Sequence, residues 1–191
     1  NAAVGRFQIA LKCFEKVLEI EPRNTAAMHN LANCYKDLGH LREAIKNYKI
    51  LIKFDPSFYE AYYNLGNAFK DSRKLKDAVI AYKKLLKAKP KHYLALNNLA
   101  LVLKDLGDLD SAITMYEKAI ENKPDYSEAL MNQSFAYLAQ QNFADGWWRY
   151  EHRLKNEQIR LTVADIPSQP EWKPDLGGRV LLWAEQGLGD M

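Results

Sequence analysis

Apolar positions recur along most of this chain at helical spacing. Met28, Leu31, Ala32 and Tyr35 follow i, i+3, i+4, i+7, and Leu41, Ala44, Ile45, Tyr48, Leu51 and Ile52 form a second such series. Each series gives an amphipathic helix with one face to bury. Between them Gly39 marks the point where the first helix ends and the chain reverses, and Gly107 does so two units later. Pro22, Pro56, Pro90 and Pro124 close the second helices and recur every 34 residues. The pattern predicts an all-α solenoid, in which a unit of two helices buries its apolar face only by stacking on its neighbours.

Aligned on the prolines, the units repeat residue by residue. Leu31, Leu65 and Leu99 are followed by the small residues Ala32, Gly66 and Ala100, and then by Tyr35, Phe69 and Leu103. The second halves carry Ala44, Ala78 and Ala112, then Tyr48, Tyr82 and Tyr116. A small residue at the helix crossing lets paired helices approach closely. The pattern resembles the tetratricopeptide (TPR) family closely. That resemblance implies a right-handed superhelix with the first helix of each pair on its concave side.

The chain divides accordingly. Residues 1–22 read as the second helix of a partial repeat, with further repeats expected before it. Residues 23–124 hold three complete units. Residues 125–158 read as a degenerate fourth repeat, in which Gln133 replaces the leucine and Gly146 the alanine, ending in a capping helix, "GWWRYEHRLKNEQ", with a polar outer face. Trp147, Trp148 and Tyr150 are expected to be partly buried against the last repeat or the C-terminal strand, and helices to run from Arg6 to about Lys155. Residues 159–191 break the pattern with Pro167, Pro170 and Pro174, followed by an apolar run from Val180 to Ala184 and the turn "GLGD". This reads as a short strand and loop, unpaired within the fragment or folded back on the cap.

Composition excludes several classes. Apolar residues make up 48% of the 191, enough for a sizeable core, and no stretch reaches the roughly 20 apolar residues of a membrane-spanning helix. No export signal is visible, which makes a cytoplasmic protein the default. Cys13 and Cys34 fall on apolar helix faces and read as buried thiols, and the four histidines show no metal spacing. Net charge is +7 over residues 1–124 and −4 over residues 125–191. The lysines of the first part alternate with acids at helical spacing, so they describe a solvated surface and not a nucleic-acid interface.

One polar position stands out. Asn30, Asn64, Asn98 and Asn132 occupy the same place in four successive units, with Asn33 and Asn67 one turn further on and Lys36, Lys70 and Lys104 beyond, each followed by an aspartate. Asparagine is a mediocre helix former, so four at one exposed position bring no local benefit. Their neighbours have diverged to His29, Tyr63, Asn97 and Met131. Descent from one duplicated unit is one explanation; contact with a ligand is the other. A carboxamide offers an acceptor and two donor hydrogens, matching a peptide backbone. Neighbouring helices pack about 8–10 Å apart and an extended chain advances about 3.3 Å per residue, so such a row would grip about every third residue of an extended polypeptide. The row resembles the asparagine ladder of eukaryotic O-GlcNAc transferase. The alternative TPR device, a carboxylate clamp, wants lysine or arginine where this chain has His29, Leu94 and Asn98.

The C-terminal order "GWWRYEHRL", then "P..W", then "L.GR.LL...EQGLGD" resembles bacterial proteins in which TPR repeats precede a heptosyltransferase-like GT-B glycosyltransferase domain. The resemblance implies that Val180–Ala184 begins a Rossmann-like half, that the glycine turn opens its first helix, and that Asp190 serves as general base. It also implies a nucleotide-sugar donor for the full-length enzyme, with no cofactor held by this chain and no catalysis by this chain alone. The expected partner is an extended polypeptide acceptor. The competing reading is a TPR scaffold for protein–protein interaction with no catalytic role.

Overall fold

The computed structural model describes residues 2–150, with side chains from residue 5 onward. The described residues are all-helical. Helix α1 spans Ala2–Ile20, and four pairs follow: α2 (Thr25–Asp37) with α3 (Leu41–Phe54), α4 (Tyr59–Asp71) with α5 (Leu75–Ala88), α6 (Tyr93–Asp105) with α7 (Leu109–Asn122), and α8 (Ser127–Ala139) with α9 (Phe143–Tyr150). The expected strand at Val180–Ala184, the remainder of the capping helix and Asp190 lie outside the described residues.

The helix ends follow from local chemistry. Helices α1, α3, α5 and α7 each stop two residues before a proline of the 34-residue series. The intervening Asp55 is extended, and Lys89 and Lys123 likewise leave the helical region, which the proline ring disfavours for the residue before it. Within each pair the reversal passes through a left-handed residue. Gly39 (φ 78°) and Gly107 (φ 84°) take it as expected, but Arg73 (φ 59°) and Gln141 (φ 62°) hold the same place in the other two pairs.

Each helix packs on the next in sequence, and α2, α4, α6 and α8 also touch in succession. The second helices α3, α5 and α7 make no such contact with one another. Closer spacing of the first helices puts them on the inside of the curve. The core runs through every interface. Tyr48, Tyr82 and Tyr116 are fully buried, as are Ala32, Ala44, Ala78, Ala100 and Ala112. A Cβ on Gly66 would fall 2.5 Å from Tyr82 Cε1, so this ring fills the space that alanine takes at the equivalent positions 32 and 100.

The fourth pair explains its own departures from the repeat. Gln133, in place of leucine, is buried and accepts a hydrogen bond from Arg149 Nε at 2.9 Å, while Arg149 Nη1 reaches Asp145 Oδ1 at 2.7 Å. The Arg149 guanidinium lies 4.4 Å from the centroid of the Tyr137 ring. A buried amide is tolerated because a charged donor from α9 satisfies it.

Two sequence expectations are corrected. Cys34 is buried but Cys13 is exposed, because the face of α1 that carries Cys13 has no helix against it among the described residues. Trp147 and Trp148, expected to be partly buried, are exposed at 49% and 64%, with Phe143 beside them at 59%; residues 151–158, which carry most of the expected polar face, lie outside the described residues. The helix instead presents Gly146 to Leu138, and a Cβ there would meet Leu138 Cδ2 at 2.5 Å.

Candidate functional site

The asparagine row runs along the first helices. Asn30 is exposed, whereas Asn64, Asn98 and Asn132 are half-buried. The expectation that the row brings no local benefit is therefore corrected, because each of its later members is tied to the preceding repeat. Asn64 Nδ2 lies 2.9 Å from His29 Nε2 and donates to Asn33 Oδ1 at 3.2 Å. Asn98 Nδ2 donates to Tyr63 Oη at 3.2 Å and to Asn67 Oδ1 at 2.9 Å. Asn132 Nδ2 donates to Asn97 Oδ1 at 3.2 Å.

Asn33 and Asn67 are the hubs of this network and connect it to the core. Tyr48 Oη donates to Asn33 Oδ1 at 2.5 Å, and Tyr82 Oη donates to Asn67 Oδ1 at 2.6 Å. Burial raises the Tyr48 and Tyr82 phenols far above the ordinary tyrosine range, which keeps both as neutral donors. Because Asn33 Oδ1 faces two donors, its nitrogen faces His29 Nε2, at 3.4 Å. His29 Nε2 thus meets two amide N–H groups and acts as an acceptor, so the ring is neutral. Desolvation by burial lowers the His29 pKa below its usual 6.5, aided by Lys36 and opposed by Glu60.

The network leaves a chemically one-sided row. Both hydrogens of the Asn64 and Asn98 amides are engaged within the protein. Among the described residues, Asn64 Oδ1 has no partner, and the one buried side-chain polar atom left unpaired is Tyr116 Oη. The Asn64 carbonyl is therefore reached by solvent. At the centre of the row the Asn64 and Asn98 amide hydrogens are spent; the Asn64 carbonyl is open, and the Asn98 carbonyl, which accepts from Asn97 Nδ2 at 3.4 Å, keeps a second lone pair.

Lys36, Lys70 and Lys104 are half-buried in the last turns of α2, α4 and α6, where a cation interacts favourably with the helix dipole. Lys36 Nζ lies 3.5 Å from Asp37 Oδ1, and Asp105 accepts instead from Arg73 Nη1 at 3.2 Å. Sequence reasoning missed His29, Tyr63 and Asn97 as members of the network. Their signal was shared chemistry under divergent identity: each carries a polar side-chain atom that can pair with an amide, one position before the row and 35 residues before the asparagine it meets. Met131, at the same position in the last pair, has no such partner among the described residues.

Models of the tetratricopeptide repeat match residues 13–46, 32–72, 59–92 and 93–126, which together run without a gap from within α1 to the end of α7. These are tetratricopeptide repeats. Among solved structures the chain is similar to MamA, at 28% identity and a TM-score of 0.76 over 83% of this chain and 92% of that one. A second MamA structure matches at 27% identity and a TM-score of 0.73, covering 87% and 90%. YrrB, described as a TPR protein with an unusual peptide-binding site, shares the fold at 17% identity and a TM-score of 0.69, covering 86% and 87%. No curated protein matches the sequence. Among the described residues no helix is long and apolar enough to cross a membrane.

Proposed function

We propose that these TPR repeats bind an extended polypeptide along the first helices, and that they present it to a glycosyltransferase domain beginning at the C-terminal apolar run. The observation that carries the binding reading is the pair of equivalent carboxamides, Asn64 and Asn98, whose hydrogens Asn33, Asn67 and their partners hold so that the carbonyl oxygens are left to accept. Fixing the amides in advance removes rotamer freedom that binding would otherwise have to restrict, and this favours association. The row accepts hydrogen bonds from backbone N–H groups and so reads no side-chain sequence. Peptide binding by YrrB, a protein of the same fold, supports the same use of this architecture. The glycosyltransferase part of the reading rests on residues 146–191, with Asp190 as the general base and a nucleotide sugar as donor.

The binding test leaves the protein unaltered. An acetylated, fluorescein-labelled 15-residue Ala/Gly/Ser peptide is titrated by anisotropy beside the same peptide N-methylated at every third residue. Loss of three or more N–H donors at about 0.5–1.5 kcal/mol each predicts at least a tenfold weaker complex. Equal affinity of the two peptides would overturn the ladder. Sugar transfer to this peptide by a chain extended past Met191, abolished by Asp190→Asn, tests the catalytic half.

A further inference from the structure

Because α3 and α5 do not touch, a cleft of about 320 Å³ opens between them on the side away from the asparagine row. Its floor is Leu65 and Phe69 of α4, and its walls include Ile52 of α3 and Ile80 of α5. Ile80 stands 59% exposed at the edge of the cleft. The rim is basic: Lys49, Lys53 and Lys84 are all exposed around it, against the single carboxylate of Asp77. Lys49 Nζ lies 5.4 Å from the centroid of the Phe69 ring, placing a cation directly over the apolar floor.

This combination is not inherited from the repeated unit. At the corresponding positions one unit earlier stand Glu15, Glu19, Glu43, Ile50 and, in place of Ile80, Lys46. One unit later the lysines persist as Lys83, Lys87 and Lys118, but Thr114 replaces Ile80. Only the α3–α5 junction joins a basic rim to an exposed aliphatic anchor. The volume sits at the lower end of the roughly 300–1,000 Å³ of small-molecule sites, which suits one or two apolar side chains better than a cofactor.

We infer that the α3–α5 cleft is a second docking site, independent of the asparagine row, for a short segment of a partner protein in which apolar side chains are flanked by carboxylates. The apolar side chains enter against Phe69 and Ile80, and the flanking carboxylates meet Lys49, Lys53 and Lys84. Charge complementarity steers the encounter and rejects basic segments, while burial of the apolar side chains holds the complex.

The experiment uses the whole chain, ¹⁵N-labelled, titrated with acetyl-Glu-Asp-Leu-Phe-Asp-Glu-amide and, in parallel, with acetyl-Lys-Lys-Leu-Phe-Lys-Lys-amide. The acidic peptide is expected to produce saturable amide shifts around Leu65, Phe69 and Ile80, and the basic peptide none. Ile80→Glu, at an exposed position that leaves the fold intact, is expected to weaken binding about tenfold or more, and Lys84→Glu to remove most of its salt dependence. Glu121→Ala, at an exposed position of α7 outside both the cleft and the asparagine row, is expected to leave the acidic peptide's affinity unchanged. Equal binding of both peptides, equal binding by Ile80→Glu, or shifts confined to the asparagine row would each overturn the inference. So would self-association that depends on Ile80 with no response to the peptide, since the cleft would then belong to a second copy.

Discussion

Tyr82 Oη donates to Asn67 Oδ1 at 2.6 Å, and Tyr48 does the same to Asn33 one repeat earlier. In the third repeat Leu101 stands where those asparagines stand, and Tyr116 Oη is buried without a partner among the described residues. Removing the hydroxyl should therefore have opposite consequences along the array. Tyr82→Phe and Tyr48→Phe should each cost about 1 kcal/mol. Tyr116→Phe should be neutral or stabilising by up to about 1 kcal/mol, because it relieves an unsatisfied buried group. Urea denaturation of the three variants compares them, and an equal loss in Tyr116→Phe would contradict the assignment.

The same network reverses a simple expectation for the asparagine row. Alanine exceeds asparagine in helix propensity by about 0.7 kcal/mol or less, which favours replacement wherever the side chain makes no contact. Asn30 is such a position, and Asn30→Ala should be neutral or slightly stabilising. Asn98 donates to both Tyr63 and Asn67, and two lost hydrogen bonds at about 0.5–1.5 kcal/mol each outweigh the propensity gain. Asn98→Ala should lose about 1 kcal/mol. Thermal melts of the two variants should shift in opposite directions or, at the least, by clearly different amounts.

Periodicity made the fold legible and also hid the joints. A 34-residue period aligns each side chain with its own copies, so the helix pairs, the proline stops and the buried tyrosines could be read directly from the sequence. The inter-repeat bonds connect unlike positions, such as His29 with Asn64 and Asn33 with Asn64, at separations of 35 and 31 residues. Comparing copies cannot show them. Nor could the pattern reveal that a basic rim and an exposed isoleucine coincide between α3 and α5, since that depends on curvature separating the second helices.

The left-handed reversal offers a third test. Glycine is at ease there, while Gln141 at φ 62° bears the steric cost of a Cβ near the following carbonyl, roughly 1–2 kcal/mol. Gln141→Gly should stabilise the α8–α9 turn by roughly 0.5–1 kcal/mol, after the entropy of glycine in the unfolded chain is set against it. Arg73→Gly gains the same relief but loses the exposed pairing with Asp105, worth about 0–1 kcal/mol, and should come out near zero. Melting temperatures that rise for Arg73→Gly and fall for Gln141→Gly would be inconsistent with this account.

Stability should also depend on pH through His29. Its ring is packed 5.0 Å from Phe58 and 6.3 Å from Tyr48, and its Nε2 faces the amides of Asn33 and Asn64. The charged groups that act on it are Lys36 from its own helix and Glu60 from α4, with desolvation as the largest influence. The folded-state pKa lies below the usual 6.5, so below that pH the unfolded chain binds more protons than the folded one. Stability contributed by neutral His29 is therefore complete above pH 6.5 and declines as pH falls beneath it. His29→Tyr places at this junction the residue already used at position 63, which stays neutral throughout the range and can still receive the Asn64 amide. Between about pH 8 and about pH 5 the parent melting temperature should fall further than that of His29→Tyr. Parallel pH profiles for the two proteins would show that the joint between the first two complete repeats does not depend on the charge state of His29.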